Sequence, residues 1–404
     1  MTKCKLCQTK IVPFFSLGKI PLVNSFLLEK ELANEKKYDL SIGFCPKCYL
    51  VQLMKTVSPK KLFSHYIYLT GNSKTMVDHC EKTAKYLSKR FKLNSKSLFL
   101  EIASNDGTLL YFFKKLKVGI LGVDPAKNIA EIANKKGLTT IPDFFNYKFA
   151  RKLVTEKKVQ ADVIFGANVL AHVPKIYDFV KGVKTALKPK GTAIFEFPYL
   201  RGLLENKFDT IYQEHVFYYG ILALINLFSR AGLEIYDVEI TPMQGGSLRI
   251  YAANPGTYQQ TTALKKLIQQ EKELGYDKIA IYKKMNLSVE KLKKDLLTLL
   301  TKIKKQKKTI AAYSAPAKGV IALNYFKIGK KYLDFIVDKA KEKQGLYVPG
   351  IYLKVEPPNK IFERKPDYVF ILCWNIKEEI INQLKEYRQQ GGKFIITIPK
   401  LEVI

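Results

Sequence analysis

The chain has 404 residues and a formal net charge of +32, and hydrophobic residues make up 47% of the sequence. This length accommodates two or three domains, and the hydrophobic fraction excludes a disordered chain. No apolar stretch approaches the roughly 20 residues that span a bilayer, and the first residues lack the apolar core of a signal peptide. We therefore expect a cytoplasmic enzyme that does not use a membrane.

The excess of lysine raises the possibility of nucleic-acid binding, because lysine contacts with phosphates release counterions and give affinity without sequence information. The lysines are dispersed along the whole chain, however, and the densest run, at 302–308, falls on a predicted helix, where a charge run is usually a solvated face. We therefore do not expect nucleic acid to be the partner. A basic cleft would still attract an anionic substrate.

Two Cys-x-x-Cys pairs lie within the first fifty residues. Their members are Cys4, Cys7, Cys45 and Cys48. Four thiolates can close a tetrahedron around zinc and leave no position open for water or substrate, so residues 1–75 are predicted to form a module with one structural zinc ion and a connecting arm. The alternative of two disulfides is weaker, because nothing else indicates an oxidising compartment and Cys80 and Cys373 have no evident partners.

Residues 76–255 begin with the pattern of a strand, helix and strand. An apolar strand from Ser97 runs into a small-residue turn at 103–107, a helix is predicted at Thr108–Lys115, and a second strand at Gly119–Val123 ends at Asp124. Small residues let the backbone approach a ligand, and an acid at the tip of the second strand can accept hydrogen bonds from ribose hydroxyls. Nucleoside binding is therefore predicted here.

The turn lacks the glycine pattern of dinucleotide-binding folds. Its Glu-x-Ala-x-Asn-Asp-Gly spelling, from Glu101 to Gly107, resembles the first motif of class I S-adenosylmethionine-dependent methyltransferases. Because that cofactor has no pyrophosphate, the loop needs backbone room and polar side chains rather than several glycines. Further strands are predicted at 161–170 and 191–197.

An acid, a base and three phenols are concentrated in the eight residues 212–219. His215 is one of four histidines, and an imidazole titrates near neutral pH, so this segment is a candidate for proton transfer. A satisfied core histidine is the alternative interpretation.

The remaining sequence predicts a helical linker and a second α/β unit. Leucines at helical spacing indicate core-packed helices over 256–308, and strands and helices alternate again over 309–404. The strands are expected at 309–313, 333–338, 368–373 and 394–398. A small-residue turn at 314–319 leads into a helix that ends at about 326, and a further helix is expected at 377–388. The turn and helix at Ala317 and Lys318 could hold a phosphate, or could be an inert packed remnant.

These motifs, in this order, resemble the sugar C-methyltransferases of deoxysugar pathways, which methylate a ring carbon of a nucleotide-diphosphate keto-sugar. The resemblance covers nearly the whole chain and implies an α/β protein: a class I (Rossmann-like) methyltransferase core with a small amino-terminal zinc module and a second Rossmann-like domain at the carboxyl end. The matching segments are 4–7, 45–48, 66–68, 101–107, 168–172, 195–200, 211–215, 245–249, 315–318, 373–375 and 391–393. Three residues differ from those usual in the family, namely Ala103, Gln244 and Ser314. These differences leave the reaction class intact, but the identity of the substrate does not follow from the resemblance.

The resemblance also implies the site residues. His215 would be the base, and the other expected catalytic residues are Glu214, Tyr212, His172 and, reaching over from the arm, Tyr66. S-adenosylmethionine would contact Glu101, Ala103, Asn105, Asp106, Gly107, Asp124 and Asn168, with Asp143 and Phe144 at its adenine. The substrate would contact Glu196, Tyr199, Arg249 and Lys318. A monomer is expected.

Two other functions share this cofactor fold. A sugar O-methyltransferase would keep the site but transfer to oxygen. An RNA or protein methyltransferase would use the zinc module as a recognition element and would be favoured by a continuous basic stripe leading to the cofactor cleft. A binding protein that had lost catalysis would show a cofactor pocket blocked by side chains, and Ala103 is too small a change to indicate this.

Overall fold

The chain folds into alternating strands and helices, which a computed structural model describes for residues 2–58, 62, 69–241 and 245–404. The strands are β1 (Val12–Pro21), β2 (Lys37–Phe44), β3 (Val51–Leu53), β4 (Leu98–Ile102), β5 (Gly119–Val123), β6 (Thr140–Ile141), β7 (Ala161–Ala167), β8 (Leu187–Pro198), β9 (Phe217–Tyr218), β10 (Glu234–Thr241), β11 (Ser247–Ala253), β12 (Ile310–Tyr313), β13 (Phe335–Val337), β14 (Val355–Glu356), β15 (Tyr368–Ile371), β16 (Lys393–Ile396) and β17 (Glu402–Val403).

The helices lie mainly between the strands, as in α/β proteins. They are α1 (Lys74–Arg90), α2 (Thr108–Lys115), α3 (Lys127–Lys135), α4 (Tyr147–Thr155), α5 (Ile176–Ala186), α6 (Leu200–Leu204), α7 (Ile221–Arg230), α8 (Thr262–Glu273), α9 (Ile279–Lys305), α10 (Ala317–Phe326), α11 (Lys360–Arg364), α12 (Lys377–Gln383) and α13 (Lys385–Gln389). Across the described part of the chain, no helix has the length and apolar character needed to cross a membrane.

The central sheet has the order β10-β11-β8-β7-β4-β5-β6. Neighbours from β6 to β8 are parallel, whereas β11 runs antiparallel to both β8 and β10. The inner strands are apolar runs because helices cover both faces of a parallel sheet. This arrangement confirms the predicted class I methyltransferase core, and the predicted α2 and β5 match the observed bounds.

A second parallel sheet, of order β14-β13-β12-β15-β16-β17, is formed by the last hundred residues. Only β17 is antiparallel to its neighbour. The predicted second α/β unit is confirmed, with shorter strands than expected. The helix expected at 377–388 is two short helices that meet at Leu384, where no glycine or proline marks the break.

The amino-terminal module is an antiparallel sheet of order β1-β2-β3-β9. Its fourth strand, β9, comes from the middle of the chain and pairs Val51 with Tyr218 and Gln52 with Phe217. The segment just before β9 carries His215, so the module directly supports the predicted catalytic segment.

The linker helices pack as predicted and hold the amino-terminal module in place. The leucines proposed for their apolar face, Leu264, Leu267, Leu292, Leu296 and Leu300, are all buried. Tyr282 of α9 packs on two rings of the amino-terminal sheet, with centroids 5.0 Å from Phe14 and 4.7 Å from Phe44. Together, these contacts bury aromatic surface between α9 and the module.

Candidate active site and zinc centre

The four predicted zinc ligands converge at one place. The sulfurs of Cys4, Cys7, Cys45 and Cys48 all lie within 4.8 Å of one another. The Cys4 to Cys48 and Cys7 to Cys45 sulfur distances are 3.5 and 3.4 Å, too long for a disulfide of about 2.05 Å. They suit sulfurs placed about 2.3 Å from a shared zinc ion. The residues therefore fit the predicted structural metal.

Both cysteine knuckles use the same turn. Gln8 and Tyr49, which follow the second cysteine of each pair, have φ near +63°. The Gln8 N–H donates to the Cys4 carbonyl and the Tyr49 N–H to the Cys45 carbonyl, at 3.0 and 2.9 Å. Repetition of the turn brings the two pairs face to face around one centre.

The predicted cofactor loop joins β4 to α2 in a constrained conformation. Ala103 and Asn105 have φ values of +57° and +50°, and the Ala103 N–H donates to the Val123 carbonyl at 2.7 Å. Asp124 accepts the N–H of Asn105 at 2.9 Å through one oxygen and that of Ala126 at 2.9 Å through the other. Asp124 thus shapes the loop as well as lying at the predicted ribose position.

The connecting arm contacts the same loop. The side-chain oxygen of Asn105 accepts the Thr70 N–H at 2.9 Å, and Asp106 accepts the Gly71 N–H at 3.2 Å. Gly107, with φ +76°, precedes α2 and packs so closely on Leu138 that a Cβ would lie 2.6 Å from it. Its role here is to allow the turn.

Three buried acids surround this loop, namely Glu101, Asp106 and Asp124. Burial, together with the charges of Asp124 and Asp106, raises the pKa of Glu101 well above its ordinary value. Among the described residues, Glu101 Oε2 has no hydrogen-bond partner. S-adenosylmethionine carries a sulfonium and an ammonium group, so a cationic ligand would relieve the crowded acids and satisfy this oxygen. The loop fits the cofactor.

The other predicted cofactor residues lie along the same edge of the sheet. Asp143 and Phe144, which are predicted to contact the adenine, are exposed just after β6, and Phe144 is 39% accessible. Asn168 follows β7 with φ +57°, and its N–H donates to the Glu196 carbonyl at 2.6 Å.

The predicted catalytic segment is a turn, since the His215 N–H donates to the Tyr212 carbonyl at 3.0 Å. His215 Nδ1 lies 2.8 Å from the Thr210 carbonyl, and Nε2 lies 2.8 Å from the Tyr212 hydroxyl. A carbonyl can only accept, so Nδ1 carries the hydrogen and Nε2 keeps its lone pair, which accepts from the phenol. Burial and nearby His172 hold the pKa of His215 well below its usual value.

The other expected catalytic residues lie around this turn. The His172 and His215 ring centroids are 5.1 Å apart, and burial lowers the pKa of His172 to about 4. Glu214 is buried, and its Oε1 accepts from the Asn24 amide at 2.6 Å. The turn keeps Glu214 and His215 from alternating as they would on a strand. Tyr66 lies outside the described residues.

Two predicted substrate residues are bound to each other. Glu196 and Arg249 face each other on β8 and β11, with a nitrogen to oxygen distance of 2.6 Å. Glu196 also lies 2.9 Å from His79 Nε2, and Arg249 donates to the Thr83 hydroxyl at 3.2 Å. Both partners of this network belong to α1, so the ion pair fastens that helix to the sheet.

A third predicted substrate residue, Tyr199, is buried and donates its hydroxyl to Glu271 at 2.7 Å. The Glu271 carboxylate also accepts the N–H groups of Ile221 and Leu222, at 2.6 and 3.1 Å. An acid at the first turn of α7 satisfies N–H groups that have no partner within the helix. In this arrangement Tyr199 is part of the hydrogen-bonded core and helps to hold Glu271 at the start of α7.

The fourth, Lys318, lies at the junction between the core and the second α/β unit. Its ammonium is 5.2 Å from the ring centre of Trp374, whose indole N–H donates to Asp209 at 2.6 Å. Burial lowers the pKa of Lys318, and the Asp209 charge partly offsets this. Besides burial and His172, the charge of Lys318 also contributes to the lowered pKa of His215.

The second α/β unit repeats the geometry of the cofactor loop. Ser314, with φ +69°, donates its N–H to the Val337 carbonyl at 2.7 Å, as Ala103 does to Val123 in the core. Asp338 then accepts the N–H of Ala315 at 2.7 Å and that of Ala340 at 2.9 Å, through different oxygens. This pattern is similar to that of Asp124, so both parallel sheets carry an acid that fixes the loop after the first strand.

Several of these residues were missed at the sequence level. There are four of them: His79, Asp209, Asn24 and Asp338. The first three make contacts around the predicted site residues, whereas Asp338 repeats the geometry of Asp124. Of these four residues, only Asp338 could have been found from the sequence pattern. It ends the second strand after a small-residue turn, as Asp124 does in the core.

Family models match most of the chain. They are described as "Putative zinc binding domain" for residues 4–63, "Methyltransferase domain" for 76–238 and "C-methyltransferase C-terminal domain" for 242–399. The third model begins at residue 242, before β11, and therefore includes one strand of the core sheet. With the sheet order, the acidic loop and the cysteine cluster, these matches define an S-adenosylmethionine-dependent methyltransferase with a zinc-binding module.

A full-length relative identifies the family. C-methyltransferase NovU of Streptomyces niveus is 31% identical over 406 residues, covering 100% of this chain and 96% of NovU. The chain belongs to this C-methyltransferase family.

Similar solved structures include the PH0226 protein from Pyrococcus horikoshii, at 20% identity, covering 49% of this chain and 96% of that one with a TM-score of 0.38. Magnesium protoporphyrin IX methyltransferase from Synechocystis, with bound S-adenosylhomocysteine, is 12% identical and covers 44% and 82%, with a TM-score of 0.35. These TM-scores are too low to support an inference about this chain.

Proposed function

We propose that this C-methyltransferase acts on a nucleotide-diphosphate keto-sugar and methylates the ring carbon next to the keto group through an enolate. The observation that carries the proposal is the hydrogen-bonded pair of Tyr212 and His215, in which a neutral imidazole keeps an oriented lone pair on Nε2. A carbon beside a ketone becomes nucleophilic only after losing a proton, so such a reaction needs a base of this kind.

In this proposal, the proton on the ring carbon passes to Nε2 of His215. The electron pair of the broken C–H bond forms the enolate double bond, and negative charge develops on the former keto oxygen. The Thr210 carbonyl holds the ring through Nδ1, and it also stabilises the imidazolium after proton transfer. The tautomer required for the step is thus set before the substrate binds.

S-adenosylmethionine, when bound, supplies the electrophilic methyl group. Glu101, Asn105 and Asp124 would hold it, at the carboxyl ends of β4 and β5. The position of these strand ends in the same sheet as the loop after β7, which carries His172, supports one cleft for both ligands.

The nucleotide part of the substrate is assigned to the second α/β unit. Asp338 has the geometry that Asp124 has in the core, where it lies at the predicted ribose position. Lys318 and Lys207 each lie within 6 Å of the Trp374 ring. Two ammonium groups there would attract a diphosphate, leaving the sugar to reach the catalytic turn.

The test is a panel of nucleotide-linked keto-sugars incubated with the protein in deuterated water. With S-adenosylhomocysteine present, we expect deuterium to enter the carbon next to the keto group, and with S-adenosylmethionine we expect a methyl group on that carbon by NMR. If no sugar exchanges or is methylated, the proposed substrate is wrong. Methylation at oxygen, or of RNA, would establish one of the other two functions.

A further inference from the structure

The catalytic turn is fastened to the amino-terminal module by side chains as well as by β9. The Gln213 amide donates to the carbonyls of Ile20 and Pro21, at 3.1 and 3.0 Å, and Gln213 is buried. The next residue, Glu214, accepts from Asn24 at 2.6 Å. Both contacts come from the end of β1 and the turn after it, so two consecutive residues of the catalytic turn are held by the same segment.

A second path connects the turn to the zinc ligands. Gln52 of β3 is fully buried, donates to the Cys4 sulfur at 3.2 Å and accepts the Lys5 N–H at 3.0 Å. Gln52 also pairs with Phe217 of β9, two residues after His215. The amino-terminal module therefore reaches the catalytic turn from the side of the metal centre too.

We propose that Asn24 is a positioning residue for the reaction: its amide holds the Glu214 carboxylate in one orientation at the catalytic turn through a hydrogen bond of 2.6 Å. This rests on the proposed function only for the expectation that Glu214 is one of the catalytic residues, because the contact between Asn24 and Glu214 is itself geometric. The amino-terminal module is, on this proposal, a working part of the active site.

Electrostatics supports the assignment. Burial raises the pKa of Glu214, and the hydrogen bond from Asn24 lowers it. The titratable neighbours on the turn, Tyr212 and His215, are hydrogen-bonded to each other, and the pKa of His215 is held low, so His215 remains neutral. The Asn24 N–H is thus the contact that favours the charged form of Glu214.

The test follows the Glu214 carboxyl directly in the full-length protein labelled with carbon-13 at the glutamate side-chain carboxyl. The Glu214 resonance is assigned by its loss in Glu214→Gln. We expect its titration midpoint to rise by about one pH unit in Asn24→Ala, and further in Asn24→Asp, where two carboxylates would face each other. A midpoint unchanged in both variants overturns the proposal.

A matched control is available on the surface. Asn359 donates to Glu363 at 2.5 Å, the same pairing at an exposed site far along the chain. Asn359→Ala should leave the Glu214 midpoint unchanged. Asn24 is itself exposed, so its variants should fold, and circular dichroism checks this.

Kinetics then separates positioning from a packing role. With a substrate that turns over, Asn24→Ala should move the acidic limb of the pH profile upward by about one pH unit, so that kcat falls about tenfold at pH values below the wild-type Glu214 midpoint, with little change in KM. An unmoved acidic limb contradicts a catalytic consequence. If wild type methylates no sugar, the proposed function fails, while the carboxyl titration still decides whether Asn24 controls Glu214.

Discussion

Replacing His215 with asparagine is the sharpest perturbation of the proposed reaction. Asparagine can still donate to the Thr210 carbonyl, which lies 2.8 Å from Nδ1 in the wild type, but it offers no basic nitrogen at the position of Nε2. The fold and both ligand sites should survive, because Thr210 keeps a donor and the turn keeps its backbone hydrogen bond.

The expected loss follows from the role of the ring. General base catalysis contributes roughly 10²–10⁴-fold, which corresponds to about 2.7–5.5 kcal/mol of transition-state stabilisation. Tyr212→Phe removes the phenol from Nε2 and leaves the base in place, so its loss should be smaller. His172→Asn should also cost less, because the proposal assigns proton removal to His215, and the centre of the His172 ring lies 5.1 Å from that of His215.

The assay is deuterium exchange into the substrate carbon in the presence of S-adenosylhomocysteine, so that no methyl group is transferred. Ligand binding measured by calorimetry on the same variants separates loss of chemistry from loss of affinity. If His215→Asn exchanges the proton at the wild-type rate, His215 is not the base, and His172 becomes the next residue to test.

Four further predictions concern the metal, the cofactor, the domain junction and pH. Cys45→Ser should remove zinc, seen by metal analysis, and lower stability, while protein that still folds keeps its chemistry; folded wild type without zinc would contradict the site. Asp124→Ala should weaken S-adenosylmethionine binding by about 1–3 kcal/mol in calorimetry, and unchanged affinity would remove Asp124 from the site. Trp374→Phe removes the 2.6 Å hydrogen bond to buried Asp209 and should lower the free energy of unfolding by about 1.5–3 kcal/mol, measured by urea denaturation followed by circular dichroism. An unchanged denaturation midpoint would refute this interdomain hydrogen bond. Because the pKa of His215 is lowered, the imidazole should stay neutral and kcat/KM should not fall through protonation of His215 between about pH 8 and pH 6. If the wild type does lose activity in this range and His215→Asn does not show the same pH dependence, His215 is not a neutral base there.

The sequence predicted the features that depend on local pattern. Cysteine spacing is enough to identify four ligands, and apolar strands with small-residue turns are enough to place α2, β5 and the acidic tip at Asp124. The order of motifs then led to the family. The bounds of strands near the carboxyl end were overestimated, because apolar residues continue past the last ladder hydrogen bond.

Contacts between distant segments could not be predicted in the same way. The pairing of Glu196 with Arg249 depends on the register of β8 and β11, which no residue pattern encodes. Strand β9 has two residues, too few to show a period, and its partner β3 lies far away in the chain. The donor to Glu214 comes from another module, so neither sequence neighbourhood points to Asn24.

The junction at Trp374 has a practical consequence, because this is the single tryptophan of the chain. Its indole is buried, bonded to the Asp209 carboxylate and close to the ammonium groups of Lys318 and Lys207. Indole emission responds to nearby charge and to water, so any movement of the second α/β unit against the core, or any anion drawn to these lysines, would alter one fluorescence signal. The unlabelled protein therefore carries an intrinsic optical reporter at the place where the two sheets meet.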